Sequence, residues 1–184
     1  MTADTASAPA LPLGRVVALF VCVLLVAVGL VWAWLSMRAV MSVGGACASG
    51  GAYEIATPCP DGAWLVAVGL PMMLAGAMAG SGIGASLGAP NLLLPMWFLV
   101  FSTMGWNFLE FGIWRGDVEV GSIVCGVVFE LMALPVLFLV PLGLKMRRTR
   151  PAGVPGLWFW GICYLALCSV GVSFGAWVYQ AVAT

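Results

Sequence analysis

The chain has 184 residues, of which 63% are hydrophobic and only 8% are charged, and its formal net charge is zero. Soluble domains carry about 25% charged residues, so this composition excludes a protein whose whole surface faces water. The neutral balance provides no overall basic field for nucleic acid. The chain contains no histidine, which excludes a Ser-His-Asp triad and a bis-histidine haem.

The chain contains five long apolar runs, and a helix needs about 20 apolar residues to cross the hydrocarbon core of a bilayer. We therefore predict an all-α, polytopic membrane bundle of about five transmembrane helices, with four and six spans left open as alternatives. A short N-terminal tail at residues 1–15 precedes a single transmembrane unit at 16–184. The predicted spans are residues 16–36, 63–85, 92–113, 121–144 and 157–182.

The basic residues predict the orientation of the bundle, because cytoplasmic loops carry an excess of lysine and arginine. Four of the seven basic residues lie between the fourth and fifth predicted spans, namely Lys145, Arg147, Arg148 and Arg150. A cytoplasmic position for this loop also makes the N-terminus cytoplasmic, in the plasma membrane, here the bacterial inner membrane. The first run has about 20 apolar residues, longer than the 7–15 of a cleaved signal peptide.

The longest stretch between spans is a glycine-rich loop at residues 37–62, predicted to face the outside of the cell. It holds Cys47 and Cys59, the two cysteines that lie outside the apolar runs. We predict a disulfide between them, since closing a loop of this size is worth about 3 kcal/mol. Two free thiols or a redox-active pair are the alternatives, although the chain has no C-x-x-C motif of the kind used by thiol oxidoreductases.

Two segments of the chain resemble a known group of proteins. The loop sequence GGACASGGAYEI followed by CPDG, and the sequence GWNFLEFG in the third predicted span, are both similar to motifs of small uncharacterised actinobacterial membrane proteins. In that group a proline precedes the tyrosine, whereas this chain has Ala52 before Tyr53. The resemblance implies the topology and the bacterial plasma membrane, and it implies no activity, cofactor or catalytic residue.

The second predicted span carries a glycine ladder, in which a glycine recurs at every fourth position. The ladder consists of Gly76, Gly80, Gly84 and Gly88. This spacing places the glycines on one helix face, where another helix can approach closely. The partner is either another span of the same chain, with Gly171 and Gly175 as a candidate facing surface, or a second copy. In a third interpretation, residues 80–88 form a non-helical turn.

Two carboxylates lie well inside the apolar runs, and such residues are functional candidates because an ionised carboxylate in lipid costs about 2.5–3.5 kcal/mol. Glu130 is nearly central in the fourth span. Glu110 lies toward one end of the third span, with Asn107 on the same face. At 1.5 Å per residue the two carboxylates differ in depth by about 7–8 Å, and they are candidates to share one cavity.

Three interpretations of these glutamates are open. Each can be protonated and hydrogen-bonded inside the bundle, or the two can form a proton or cation site of a transporter. In the third interpretation they pair with a partner protein, or with Arg115 or Arg38 near the outer interface.

The sequence favours a small, non-enzymatic membrane protein of structural or accessory type. Its expected partners are the lipid bilayer and either a second copy or a larger membrane protein, with no nucleic acid. No catalytic residue, metal site or cofactor is predicted. The alternative function is a small proton- or cation-coupled transporter or channel that uses Glu110 and Glu130.

Overall fold

The structure, a computed structural model, describes residues 12–45, 47, 57–114, 118–146 and 156–183, without the side chains of residues 140–146. The described residues form five α-helices and no β-strand, which confirms the predicted all-α class. The helices are α1 (Leu13–Ser42), α2 (Leu65–Leu87), α3 (Leu93–Trp114), α4 (Val120–Met146) and α5 (Leu157–Val182).

Four of these helices are long and apolar enough to cross a membrane, in agreement with the prediction of a membrane protein. They are α1, α2, α5 and the part of α4 from Val120 to Leu139. The fifth helix, α3, has 22 residues and is long enough for a span. Asn107 and Glu110 lower the mean hydropathy of its second half.

The first helix is longer than predicted at both ends. It begins at Leu13, inside the predicted tail 1–15, and continues to Ser42, so that residues 37–42 are helical rather than part of the loop. Met41 in this extension is buried. The prediction failed here because hydropathy falls at the Met37–Arg38 step. A charged residue can nevertheless be part of a membrane helix when a neighbouring helix supplies a side chain of opposite charge. Residues 1–11 and 48–56 lie outside the described part of the chain.

α1 lies at the centre of the bundle and packs against three other helices. It runs antiparallel to α2 and parallel to α5, and the end of α1 that carries Arg38 lies beside α3. From Cys22 to Met41 every residue of α1 is buried or partly buried, as expected of a helix in the core of a bundle. α4 is antiparallel to α3 and has α3 as its main neighbour.

The alternating directions of the helices give the bundle two distinct ends. We call the end with Arg38, Gly62 and Tyr179 the disulfide end, because the loop with Cys47 and Cys59 connects α1 to α2 there. We call the opposite end the basic end. It holds the start of α1, the α2–α3 connection, the last turn of α4 and the start of α5.

α2 ends through a glycine at the basic end. It is helical as far as Leu87, and Gly88 follows in the left-handed conformation with φ of 67°, which favours glycine because it has no Cβ. Pro90 comes two residues later and cannot continue a helix. The interpretation of residues 80–88 as a non-helical turn is therefore wrong.

A side chain of α2 helps to start α3. The hydroxyl of Ser81 accepts hydrogen bonds from the backbone N–H groups of Leu92 and Leu93, at 3.2 Å each. The Asn91 side chain accepts a further bond from Leu93 N–H at 2.8 Å, as an N-cap residue does. These bonds satisfy orphan donors of the first turn of α3 and hold α2 and α3 together at the basic end.

Candidate functional site

The strongest polar contact between helices joins α1 to α3 at the disulfide end. The two guanidinium nitrogens Nη1 and Nη2 of Arg38 donate to the two carboxylate oxygens of Glu110, at 2.6 and 2.9 Å. The contact is therefore bidentate, the geometry in which an arginine–carboxylate pair is strongest and most specific. The side chains of Arg38 and Glu110 are 41% and 37% exposed, which places the pair between water and the bundle interior.

Two neighbours fix the orientation of the Arg38 guanidinium. Its central carbon lies 5.3 Å from the ring centroid of Trp34, one helical turn earlier in α1, within the range of a cation–π contact. Its Nη1 atom also donates to the side-chain oxygen of Asn107 at 3.4 Å. Arg38 is thus held from α1 and from α3 together, and among the interpretations left open for Glu110 the structure shows the pairing with Arg38.

Asn107 lies deeper in the α1–α3 interface than Glu110. Its side chain is only 4% exposed, and its amide nitrogen has no hydrogen-bond partner among the described residues. A cleft with about 20 Å³ of room for water borders it and is lined by Arg38, Met41, Asn107, Glu110 and Phe111. A space of about 10–15 Å³ suffices for one water molecule, so the cleft has room for one.

Glu130 lies in a different interface, between α4 and α3. A Cβ atom placed on Gly105 of α3 would come within 2.8 Å of the Glu130 carboxylate oxygen and 2.9 Å of its Cγ. Because Gly105 has no side chain, it leaves room for the side chain of Glu130. The described residues provide no hydrogen bond or ion pair to this partly buried carboxyl group.

The two glutamates are not brought into one cavity. Glu130 is absent from the lining of the cleft beside Glu110. Gly105, which faces Glu130, lies five residues before Glu110 in α3, and this separation corresponds to a depth difference of about 7.5 Å. Glu110 contacts Arg38 of α1, whereas Glu130 of α4 packs against Gly105 of α3, so the predicted shared cavity is not seen in the described residues.

The segment GWNFLEFG of α3 provides most of these contacts. Asn107 and Glu110 bind Arg38 on the face toward α1, and Gly105 accommodates Glu130 on the face toward α4. Gly112 also faces α4, where an added Cβ would lie 2.8 Å from the Ile123 side chain. The motif noted in the sequence therefore contributes contacts of α3 to both α1 and α4.

The disulfide end is fixed by further contacts among α1, α2 and α5. Cys47 and Cys59 form the predicted disulfide, with their Cα atoms 4.9 Å apart. The buried hydroxyl of Ser36 in α1 donates to the carbonyl of Gly62, just before α2, at 3.1 Å. The hydroxyl of Tyr179 in α5 donates to the carbonyl of Leu35 at 3.3 Å. Residues 115–117 lie outside the described part of the chain, so the alternative pairing with Arg115 stays a prediction.

The glycine ladder of α2 faces α1. An added Cβ on Gly76 would lie 3.0 Å from the carbonyl oxygen of Cys22, and one on Gly80 would lie 2.9 Å from the Cys22 Cβ. Gly84 is also buried at this end of the interface. Gly88 does not share the face, because it ends the helix. The ladder in this chain thus serves packing between spans of one chain, the first of the interpretations given above.

α1 and α2 also approach each other closely at two glycines outside the ladder, Gly29 and Gly69. A Cβ on Gly29 would lie 2.5 Å from the carbonyl oxygen of Gly69, and one on Gly69 would lie 3.0 Å from the carbonyl oxygen of Gly29. Neither belongs to an obvious repeat, although Gly69 and Gly76 are seven residues apart on one face. Gly171 and Gly175 of α5 also face α1 rather than the ladder, so that proposed pairing is wrong.

Trp160 is fully buried and Trp32 is partly buried between α1 and α5, although both lie near the ends of predicted spans. Aromatic residues near span ends predict an interfacial belt. Trp160 instead is fully buried, in the cluster formed with Leu19 and Leu87 at the basic end. The indole N–H of Trp32 donates to the Gly175 carbonyl at 3.0 Å, between α1 and α5. By contrast Trp158, Trp114 and Trp177 remain exposed.

No protein-family model, no curated protein and no solved structure matches this chain. The resemblance to actinobacterial membrane proteins therefore stays a prediction, and the site is interpreted from its own geometry. Within the described residues, no three histidine, cysteine, aspartate or glutamate side chains lie close enough together to hold a metal ion.

Proposed function

We propose that this chain is a structural or accessory protein of the bacterial inner membrane, rather than an enzyme, with all five helices spanning the bilayer. The bidentate Arg38–Glu110 contact carries this proposal. It binds the most polar part of α3 to α1, so α3 can cross the membrane without exposing Glu110 to lipid as an isolated charge. It also holds the Glu110 side chain in one orientation between α1 and α3.

The rigid disulfide end supports a role in binding another membrane protein or a second copy. Rigid elements present a binding surface with little ordering cost. Trp106 and Trp114 lie side by side on the outer face of α3, with ring centroids 6.1 Å apart, and are 50% and 66% exposed. Tryptophan is enriched where one protein binds another, and this pair borders the disulfide end.

Photo-crosslinking in native membranes tests the accessory function. A photoreactive amino acid at Trp114 is expected to give a discrete protein adduct, either a dimer of this chain or a heteromer. Leu165 in α5 is a suitable control position, since it is 71% exposed on another helix and is expected to give lipid adducts. Lipid adducts alone at both positions would contradict the accessory proposal.

A second function is favoured by one observation, the lack of a described partner for the Glu130 carboxyl group. A carboxyl group near the middle of a span, with no ion-pair partner, is the kind of group that binds and releases a proton in transporters. Proton- or cation-coupled transport is therefore the alternative, now centred on Glu130 rather than on both glutamates.

Proton flux into liposomes distinguishes the two functions. Under the transport hypothesis, the parent protein dissipates a pH gradient faster than empty liposomes do, and Glu130→Gln abolishes the difference because glutamine cannot titrate. Under the accessory hypothesis, parent and variant both match empty liposomes. Glu130→Gln is the cleaner variant, because Glu110→Gln would also weaken the contact between α1 and α3.

A further inference from the structure

The two halves of α3 are attached to the rest of the bundle in different ways. The half at the basic end, residues 93–100, is held by apolar packing, because Met96 is buried in a cluster with Val26 of α1 and Met73 of α2. Ser81 of α2 also accepts hydrogen bonds from two backbone N–H groups at the start of α3. The basic end of α3 is therefore anchored both by buried side chains and by hydrogen bonds.

The half of α3 at the disulfide end has no buried apolar side chain against α1. Its buried residues are Gly105, Asn107 and Gly112, and the two glycines face α4. Asn107 faces α1 instead, where its side-chain oxygen accepts a hydrogen bond from Arg38. The polar contacts of Arg38 with Asn107 and Glu110 therefore hold this half against α1, and we call these three residues the latch.

The interface between α1 and α3 is incompletely filled around the latch. The cleft described above borders Asn107, and a second space with room of about 10 Å³ lies between Trp34 and Met37 of α1 and Met104 of α3. The buried amide nitrogen of Asn107 has no partner among the described residues, and a buried donor without a partner costs free energy. Both features lower the free energy that is needed to separate α1 from α3 at this end.

The contact between α3 and α4 is closely packed by comparison. An added Cβ on Gly126 of α4 would lie 2.7 Å from the Leu109 side chain and 3.0 Å from the backbone oxygen of Gly105. One on Gly112 of α3 would lie 3.1 Å from the backbone oxygen of Glu119. Backbones that approach each other so closely form the stable kind of contact between membrane helices. We therefore treat α3 and α4 as one unit, the α3–α4 hairpin.

We propose that the α3–α4 hairpin pivots about the α2–α3 connection, and that the latch holds its far end against α1. This connection contains Gly88, with φ of 67°, and Pro90, and it is not helical, as is typical of a hinge. The far end of α3 lies about 30 Å away, so a tilt of about 10° would move it by about 5 Å. The proposal concerns helix motion, and it does not depend on whether the protein is an accessory protein or a transporter.

Distances between spin labels on α4 and α5 test the pivot in the purified protein, in lipid nanodiscs. One label pair, at Val120 and Trp177, reports on the disulfide end, and a second pair, at Phe138 and Ile162, reports on the basic end. All four positions are exposed, so the labels do not enter the core. The four free cysteines are replaced by alanine, and the disulfide is left intact. Pulsed electron paramagnetic resonance then gives a distance distribution for each end.

Glu110→Gln removes the ion pair of the latch. We expect this variant to gain a population that is displaced by about 5 Å at the disulfide end, with an unchanged distribution at the basic end. Glu130→Gln is the matched control, because it is the same substitution in the same hairpin but faces α3 rather than α1. It is expected to leave both distributions as they are in the parent.

Asn107→Leu tests the latch from the opposite direction. Leucine leaves no buried donor without a partner, and the spaces beside Asn107 give room for its larger side chain. The ion pair between Arg38 and Glu110 remains. We therefore expect a narrower distribution at the disulfide end than in the parent. A distribution as broad as that of the parent would contradict the weakness assigned to this interface, even if Glu110→Gln could not be purified in a folded form.

Two results for Glu110→Gln would overturn the proposal. Unchanged distributions at both ends would show that the latch is not needed to hold the hairpin against α1. Equal displacements at both ends would show that the hairpin detaches as a whole and does not pivot. Neither result depends on a partner protein or on a pH gradient, so this test is separate from the crosslinking and flux experiments.

Discussion

At the level of single residues, Arg38 connects α1 to α3. Its guanidinium is held by Trp34 within α1 and by Asn107 and Glu110 in α3. Because α4 has α3 as its main neighbour, this contact is one of those that attach the α3–α4 hairpin to α1, together with the buried cluster around Met96. The loss of Arg38 would leave the Glu110 carboxylate without its bidentate partner in a half-buried position.

We predict that Arg38→Gln and Glu110→Gln each lower the stability of the protein in detergent by about 1 kcal/mol. The effect is smaller than the 3–5 kcal/mol of a fully buried pair, because water screens side chains that are about 40% exposed. The double variant should cost less than the sum of the single variants. Thermal unfolding measures all three, with Arg15→Gln as the control. Strictly additive costs would contradict a direct interaction.

Sequence reasoning identified the polar residues of this site but left their partners open. Glu110 and Asn107 stand out because polar residues are rare in an apolar run. The sequence predicts a loop at Arg38, because a charge after an apolar run indicates the end of a span, whereas Arg38 lies within α1. Whether Glu110 pairs with Arg38 or Arg115 depends on the rotation of α1 relative to α3, and this rotation is a tertiary property. In the sequence Gly105 stands out only as part of a motif, since its role in packing depends on Glu130, which lies opposite it in α4.

At the level of helices, small residues determine how closely α1 is packed. Glycines of α2 and α5 contact α1 from two sides, and Gly29 of α1 itself meets Gly69 of α2. Apolar side chains gain little from leaving lipid for a helix interface, so close packing is a main source of stability between membrane helices.

The five predicted runs matched the five helices because span length follows from bilayer thickness. The sequence did not predict which helices pack against each other, since several helices have a face that contains glycine.

We predict that Gly29→Ala lowers stability by about 1–3 kcal/mol, the usual cost of overpacking. The new Cβ would meet the backbone oxygen of Gly69 at 2.5 Å, and backbone atoms cannot rotate away. Gly82→Ala is the matched control on α2, because nothing lies within 4 Å of its added Cβ. That variant should be neutral or gain up to about 1 kcal/mol from helix propensity. Equal melting temperatures for the two variants would show that Gly29 is not a packing contact.

At the scale of the whole molecule, the disulfide end differs from the outer surfaces of α4 and α5 in the contacts that its residues make. The disulfide end is held by a disulfide, an ion pair and hydrogen bonds among α1, α2 and α5. The outer surfaces of α4 and α5 are apolar and exposed along their described lengths, as expected of surfaces that face lipid. A membrane therefore explains both the exposed apolar faces and the scarcity of charge.

Thiol labelling of intact cells tests the position of the disulfide. Disulfides persist on the oxidising side of the membrane. A membrane-impermeant maleimide should therefore label Cys47 and Cys59 only after a reductant has been added. A variant in which the four other cysteines are replaced by alanine removes the background from α1, α4 and α5. Labelling of both residues without reductant would show that the pair is not oxidised in the cell.

We propose that all five helices span the membrane, and the location of the segment after α4 decides whether they do. A reporter that is active only in the cytoplasm is fused after Arg150, and a second fusion after Ala56 provides the comparison. With five spans and a cytoplasmic N-terminus, the fusion after Arg150 is active and the fusion after Ala56 is silent. If α3 did not cross the membrane, α4 would run in the opposite direction, and the Arg150 fusion would be silent. That result would contradict the role assigned to the Arg38–Glu110 pair.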